Sequence, residues 1–162
     1  DITADMLGIS FDPSAALAEL SRVLRPGGAL ALLWNVRDES VDWVRRFGEV
    51  LVAGAAGDES SAAFLETGKP YDEGTDWPVV IDGTGGFTPV RREVIPWAQL
   101  VDPELLVRRA ASTSFVSALP DGRRQATLEE VRRLAVTHVD LAGRSSFDFP
   151  YLTTVYWCRT SA

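Results

Sequence analysis

The sequence predicts an α/β fold in which helices flank a sheet with parallel strands, and three observations predict it. Residues 11–35 read as a capped helix, a tight turn and a buried strand in immediate succession. A second amphipathic helix pattern follows that strand directly, which makes one α/β repeat. The helix start Asp-Pro occurs twice, at Asp12-Pro13 and Asp102-Pro103, each time ahead of apolar residues at helical spacing.

Residues 1–10 carry no strong period, although Ile2, Met6, Leu7 and Ile9 suit a short strand-like arm. Asp12 then supplies an N-cap, Pro13 occupies the first helical position where its missing N–H costs nothing, and Leu17, Leu20 and Leu24 form the apolar face. Arg22 and Arg25 complement the C-terminal end of the helix dipole, and Pro26-Gly27-Gly28 ends the helix. The run from Ala29 to Trp34 is apolar without polar alternation, as in a strand covered on both faces. Ligands of parallel sheets bind beyond the carboxyl ends of the strands, so Asn35, Arg37 and Asp38 point toward a site.

Asp38 or Ser40 caps a second helix running to about Ala53, with Val44, Phe47 and Leu51 inside and Gly54 and Gly57 at its end. Residues 58–86 read as a long irregular connection, broken by Gly68-Lys69-Pro70, Asp72-Glu73-Gly74 and Trp77-Pro78, with room for a helical turn or two in 60–67. Tyr71 and Trp77 either cover substrate or pin this connection to the body. The cluster Asp82-Gly83-Thr84-Gly85-Gly86 precedes a strand-like segment instead of joining strand to helix, so it lacks the context of a nucleotide-binding loop. Residues 87–97 read as a strand that Pro89 and Pro96 confine to an edge or to bulged positions, and an edge strand is expected. A helix opening at Asp102-Pro103 continues through Leu105, Leu106 and Ala110. Pro120-Asp121-Gly122 separates it from a longer one with Leu128, Val131, Leu134, Ala135 and His138 at helical spacing. The last strand, 149–159, alternates cleanly, with Tyr151, Thr153, Val155, Trp157 and Arg159 on one face.

At these residues the chain resembles a family. The order helix, Leu24-Arg25-Pro26-Gly27-Gly28, then an apolar strand ending Trp34-Asn35 is similar to the second half of class I S-adenosylmethionine-dependent methyltransferases. Arg37-Asp38-Glu39-Ser40-Val41, Trp97, Ala118-Leu119-Pro120, Asp140-Leu141-Ala142-Gly143 and the stretch from Pro150 to Trp157 resemble one subgroup, the small-molecule, type 11-like enzymes. The resemblance implies a partial Rossmann-like sheet whose last strand inserts antiparallel between the Ala29 and Phe87 strands. It also implies in-line transfer of a methyl group from S-adenosylmethionine to a small-molecule acceptor, with the protein supplying position and exclusion of water. In that family the first half of the fold holds most of the cofactor, through a glycine-rich loop and an acidic residue that ends the second strand. Neither precedes Phe11 here. The chain is therefore expected to be the C-terminal portion of such an enzyme, inactive alone and completed by an N-terminal half. A non-catalytic truncated relative that self-associates or binds a partner is the alternative, because the Ala29 strand would keep an unpaired edge and uncovered apolar faces.

Phe11 is the candidate cofactor contact, or else a hydrophobic staple onto the following helix. Trp34, Asn35, Arg37 and Tyr71 are the candidates to face substrate. Arg37 either holds a substrate carboxylate by paired hydrogen bonds or pairs with its neighbours Asp38 and Glu39. No metal-ligand cluster, Gly-x-Ser-x-Gly elbow or paired-carboxylate constellation stands out, so no catalytic or metal-binding residue is assigned. The one histidine, His138, lies far in sequence from any catalytic partner and suits a structural or surface position.

Composition bounds the rest. At 162 residues and 46% hydrophobic, the length suits one domain with a packed core. A formal net charge of −7 gives no electrostatic footprint for nucleic acid. The single cysteine, Cys158, sits in an apolar strand pattern and reads as an inert buried thiol. No run approaches the roughly 20 apolar residues of a membrane span, and no signal pattern opens the chain, so a cytoplasmic location is expected.

Overall fold

The computed structural model describes residues 12–57 and 76–161. Within them the order is α1 (Pro13–Val23), β1 (Ala29–Arg37), α2 (Asp42–Ala55), α3 (Trp77–Asp82), β2 (Arg91–Val101), α4 (Pro103–Ser112), α5 (Ser114–Ser117), α6 (Asp121–Thr137) and β3 (Phe147–Arg159). The fold is mixed α/β, with helices flanking an open three-stranded sheet of order β1-β3-β2. The Thr160 N–H donates to the Gly28 carbonyl at 2.9 Å and the Asp38 N–H to the Pro150 carbonyl at 3.1 Å, so β3 runs antiparallel to β1. On its other side an antiparallel bridge joins Phe87 to Thr160. The last strand is thus inserted between the other two, and β2, which carries Pro96, lies at an edge.

The described residues pack as two compact units, one of residues 12–36, 76–95 and 153–161, the other of 37–57 and 96–152. In the first, the Asp12 carboxylate accepts from the Ser14 and Ala15 N–H groups and caps α1 as its sequence dictates. Gly27 turns the chain at φ +72°, the left-handed conformation that glycine adopts without strain. Leu17, Leu30, Ile81, Phe87 and Cys158 form the small core of this unit. Burial pushes the Cys158 thiol above its ordinary pKa, which fits an unreactive group. β1 departs from expectation. Leu30 is buried, but Ala29, Ala31 and Leu33 on the opposite face are exposed, Leu33 by 62%. Its apolar run is therefore covered on one face only by the described residues.

The second unit has the larger core, in which Trp43, Phe47 and Leu51 of α2 meet Leu106 and Ala110 of α4, Val131 of α6, and Phe149 and Tyr151 of β3. No side chain caps α2. Val41 is its N-cap, while Asp38 accepts from the Ser40 N–H and hydroxyl one turn earlier. At the other end Arg123 of α6 donates to the Gly54 and Ala56 carbonyls at 3.0 and 2.6 Å, satisfying acceptors that the helix end leaves free. Gly54 lies inside the helix, and Gly57, at φ +73°, makes the turn after it. Within the stretch read as irregular, α3 is a regular helix capped by Asp76, whose side chain accepts from the Val79 N–H. Trp77-Pro78 opens that helix because proline is favoured in a first turn.

His138, at the C-terminus of α6, is 8% exposed and hydrogen-bonded to Asp42 at 3.0 Å through Nε2. The Asp140 N–H donates to Nδ1 at 3.2 Å, which leaves the ring proton on Nε2. The His138 hydrogen bond first, then that of Arg46, holds the Asp42 carboxyl down to about 2. A depressed carboxylate stabilises the fold above its ordinary pKa and loses that contribution as pH falls through its folded value. Resistance to urea should accordingly decline between about pH 4 and pH 2. Asp42→Asn should flatten that part of the profile, and an unchanged slope would rule the pair out as its source.

Candidate functional site

The carboxyl ends of β1 and β2 and the start of β3 meet at one end of the sheet. The register set by Asp38 and Pro150 places Arg37 of β1 opposite Tyr151 of β3. On the far side of Tyr151, Trp97 of β2 stacks on its ring, with centroids 4.7 Å apart and planes at 18°. Arg37, Tyr151 and Trp97 therefore form one row across the three strands. Arg109, projecting from α4, brings its guanidinium carbon 5.1 Å from the centroids of both Tyr151 and Phe149. Arg37 lies 5.7 Å over Phe47 and 3.5 Å from the Glu39 carboxylate.

The electrostatics of this row are unusual at one atom. The Tyr151 hydroxyl is buried and has no hydrogen-bond partner among the described residues. Such groups are rare in native proteins. Burial raises the Tyr151 phenol above its ordinary pKa, and the charges of Arg109 and Arg37 oppose the rise. Arg109 Nη1 donates to the Gln99 side-chain oxygen at 2.5 Å, and no carboxylate pairs with it among the described residues. The row thus offers two guanidinium groups and a phenolic donor that lacks an acceptor.

The residues singled out in the sequence are distributed around this row. Arg37 belongs to it. Asn35 is exposed, and its side-chain oxygen accepts from the Thr153 hydroxyl. Trp34, adjacent in the strand, points to the other face and packs against Trp77 at 5.2 Å and edge-on to Tyr156 at 5.8 Å. Alternation along β1 thus separates Trp34 from Asn35 and Arg37. Phe11 and Tyr71 lie outside the described residues. Tyr151 and Arg109 were missed because a tyrosine in an alternating strand reads as core, and an arginine in the last turn of a helix reads as dipole complement.

The glycine cluster does not form a ligand cradle. Gly85 takes φ +65° in the turn after α3, and a side chain at Gly86 would meet the Ser21 hydroxyl at 2.2 Å. Gly86 serves close packing on α1. Among the described residues no group of three or more His, Cys, Asp or Glu side chains is placed to hold a metal ion. No described helix is long and apolar enough to cross a membrane.

The sheet order, with an antiparallel strand inserted between two parallel ones, is consistent with part of a Rossmann-like methyltransferase fold. No family model matches the chain. Over 142 residues, 88% of its length, it is 37% identical to an uncharacterized methyltransferase of Mycobacterium tuberculosis and to another of Mycobacterium bovis. Over 149 residues, 90% of its length, it is 30% identical to an uncharacterized methyltransferase of Schizosaccharomyces pombe. These matches cover 51–53% of the relatives, so the chain spans about half the length of the curated relatives it matches.

Proposed function

We propose that the chain is the C-terminal portion of an S-adenosylmethionine-dependent methyltransferase that acts on a small-molecule acceptor in the cytoplasm. The similarity over nearly its whole length to proteins named methyltransferases carries this reading, and the inserted antiparallel strand supports it. The described residues do not fit the cofactor itself. Their glycine cluster follows a helix and Gly86 packs against Ser21 of α1. What they offer is an acceptor-side surface at the carboxyl ends of parallel strands, where ligands of such sheets bind.

The test is a chimera in which this chain replaces its matched segment in the M. tuberculosis relative. S-adenosylhomocysteine at about 100 times its dissociation constant should stabilise the chimera by roughly 2.7 kcal/mol, while the isolated 162-residue chain shows no shift. A folded chimera that ignores the ligand would sink the reading.

A second reading, a non-catalytic module for self-association, is favoured by one observation. β1 is a sheet edge among the described residues, with its Leu33 62% exposed and Ile95 of β2 48% exposed. Under that reading the unfolding midpoint of the isolated chain rises with protein concentration and the chimera stays silent toward cofactor.

A further inference from the structure

We propose that Arg37, Arg109 and Tyr151 bind an oxyanion, the carboxylate of a small organic acid, beside the exposed ring of Trp97. The proposal rests on the acceptor-side reading above and assigns that acceptor an acidic group. Three independent features of one compact unit converge on it. Register sets Arg37 directly across from Tyr151, so the first cation is placed by the backbone ladder and not by a flexible loop. Arg109 supplies the second cation, held among the described residues by neutral partners, the Gln99 oxygen at 2.5 Å and the faces of Phe149 and Tyr151 at 5.1 Å. The Tyr151 residue is 5% exposed and its hydroxyl makes no hydrogen bond among the described residues, so the residue that Arg37 faces and Arg109 covers keeps an unused donor.

The charge balance points the same way. Among the described residues, one carboxylate, Glu39, 3.5 Å from Arg37, pairs with either of the two guanidinium groups. In a chain of net charge −7 this is a local excess of positive charge, partly exposed on both arginines. Two planar forks and a hydroxyl donor complement the paired oxygens of a carboxylate. Trp97, 42% exposed and fixed parallel to Tyr151, adds a flat apolar surface for the body of the acid. A phosphate group presents similar oxygens, and the experiment separates the two sources.

The chain at pH 7 and constant ionic strength is titrated with benzoate and, separately, with inorganic phosphate, following heat of binding and unfolding midpoint. Benzoate should bind and raise the midpoint. Arg109→Gln should weaken benzoate binding at least tenfold and Arg109→Lys less. Tyr151→Phe, which keeps the ring stack, should weaken it several-fold without lowering the ligand-free midpoint, because the lost hydroxyl has no partner among the described residues. Binding of phosphate but not benzoate would overturn the carboxylate assignment. Benzoate binding that is equal in all variants, or absent, would overturn the site. The measurement needs no cofactor, so its failure is separable from failure of the methyltransferase reading. A chimera that binds S-adenosylhomocysteine while benzoate does not bind refutes only the present inference.

Discussion

Phe149→Ala should destabilise the chain by about 3–5 kcal/mol, among the large losses that truncating a buried aromatic brings. Phe149 is fully buried, with its ring edge-on to Trp43 at 5.1 Å and to Phe47 at 5.6 Å, and stacked on Tyr151 at 5.0 Å. Truncation removes three aromatic contacts at once, and the neighbours cannot collapse into the space. Trp43 and Phe47 are fixed by α2, and Tyr151 is fixed by its own strand. The Arg109 guanidinium also loses one of the two ring faces it covers. Urea unfolding would measure the effect, with Val139→Ala as a control, since Val139 is 86% exposed and its truncation should fall within about 0.5 kcal/mol of zero. A loss at Phe149 of less than about 1 kcal/mol would show that this aromatic cluster does not hold the unit together.

Gly54→Ala is expected to cost about 2 kcal/mol, against the usual trend. In an exposed helix interior, alanine for glycine stabilises by roughly 0.5–1 kcal/mol. At Gly54 the added Cβ would stand 2.1 Å from Thr127 Oγ1 and 2.8 Å from its Cγ2, and Thr127 is itself 3% exposed and donates to the Arg123 carbonyl at 2.9 Å. α2 and α6 must then separate, which strains the packing of both and the Arg123 contacts that close the end of α2. The melting temperature should drop by about 4–8 °C. Thr127→Ala in the same chain should recover part of the loss, because it removes both atoms in the way. Strict additivity of the two changes would show that the clash is relieved elsewhere.

Much of the fold was legible in the sequence. Asp12-Pro13 and Asp102-Pro103 start helices where they stand, and Pro26-Gly27-Gly28 ends one, because caps and left-handed turns are set by the residues that form them. The edge position of β2 followed from Pro96, and the inserted last strand followed from a family resemblance. Less was legible of the site. Arg37 was singled out for its place after a strand, yet its partners come from β2, α4 and β3, at distances along the chain that no local pattern spans. Trp34 and Asn35 were grouped by adjacency, and the pleat sends them to opposite faces.

The sequence alone determined that the chain is α/β and where α1 and α4 begin, since capping, turn chemistry and apolar period are local physics. By contrast, β2 runs Arg91–Val101 instead of 87–97, and α3 stands in a stretch expected to be irregular. Only the tertiary structure decided which face each strand buries. In β3 the buried positions are Phe147, Phe149 and Tyr151 at one end and Thr154, Tyr156 and Cys158 at the other, although the alternation in sequence never breaks. Each end of the strand packs into the core of its own unit, Phe147, Phe149 and Tyr151 into the larger one and Cys158 into the smaller. Packing into the larger core leaves Tyr151 buried, with a hydroxyl that no described residue satisfies.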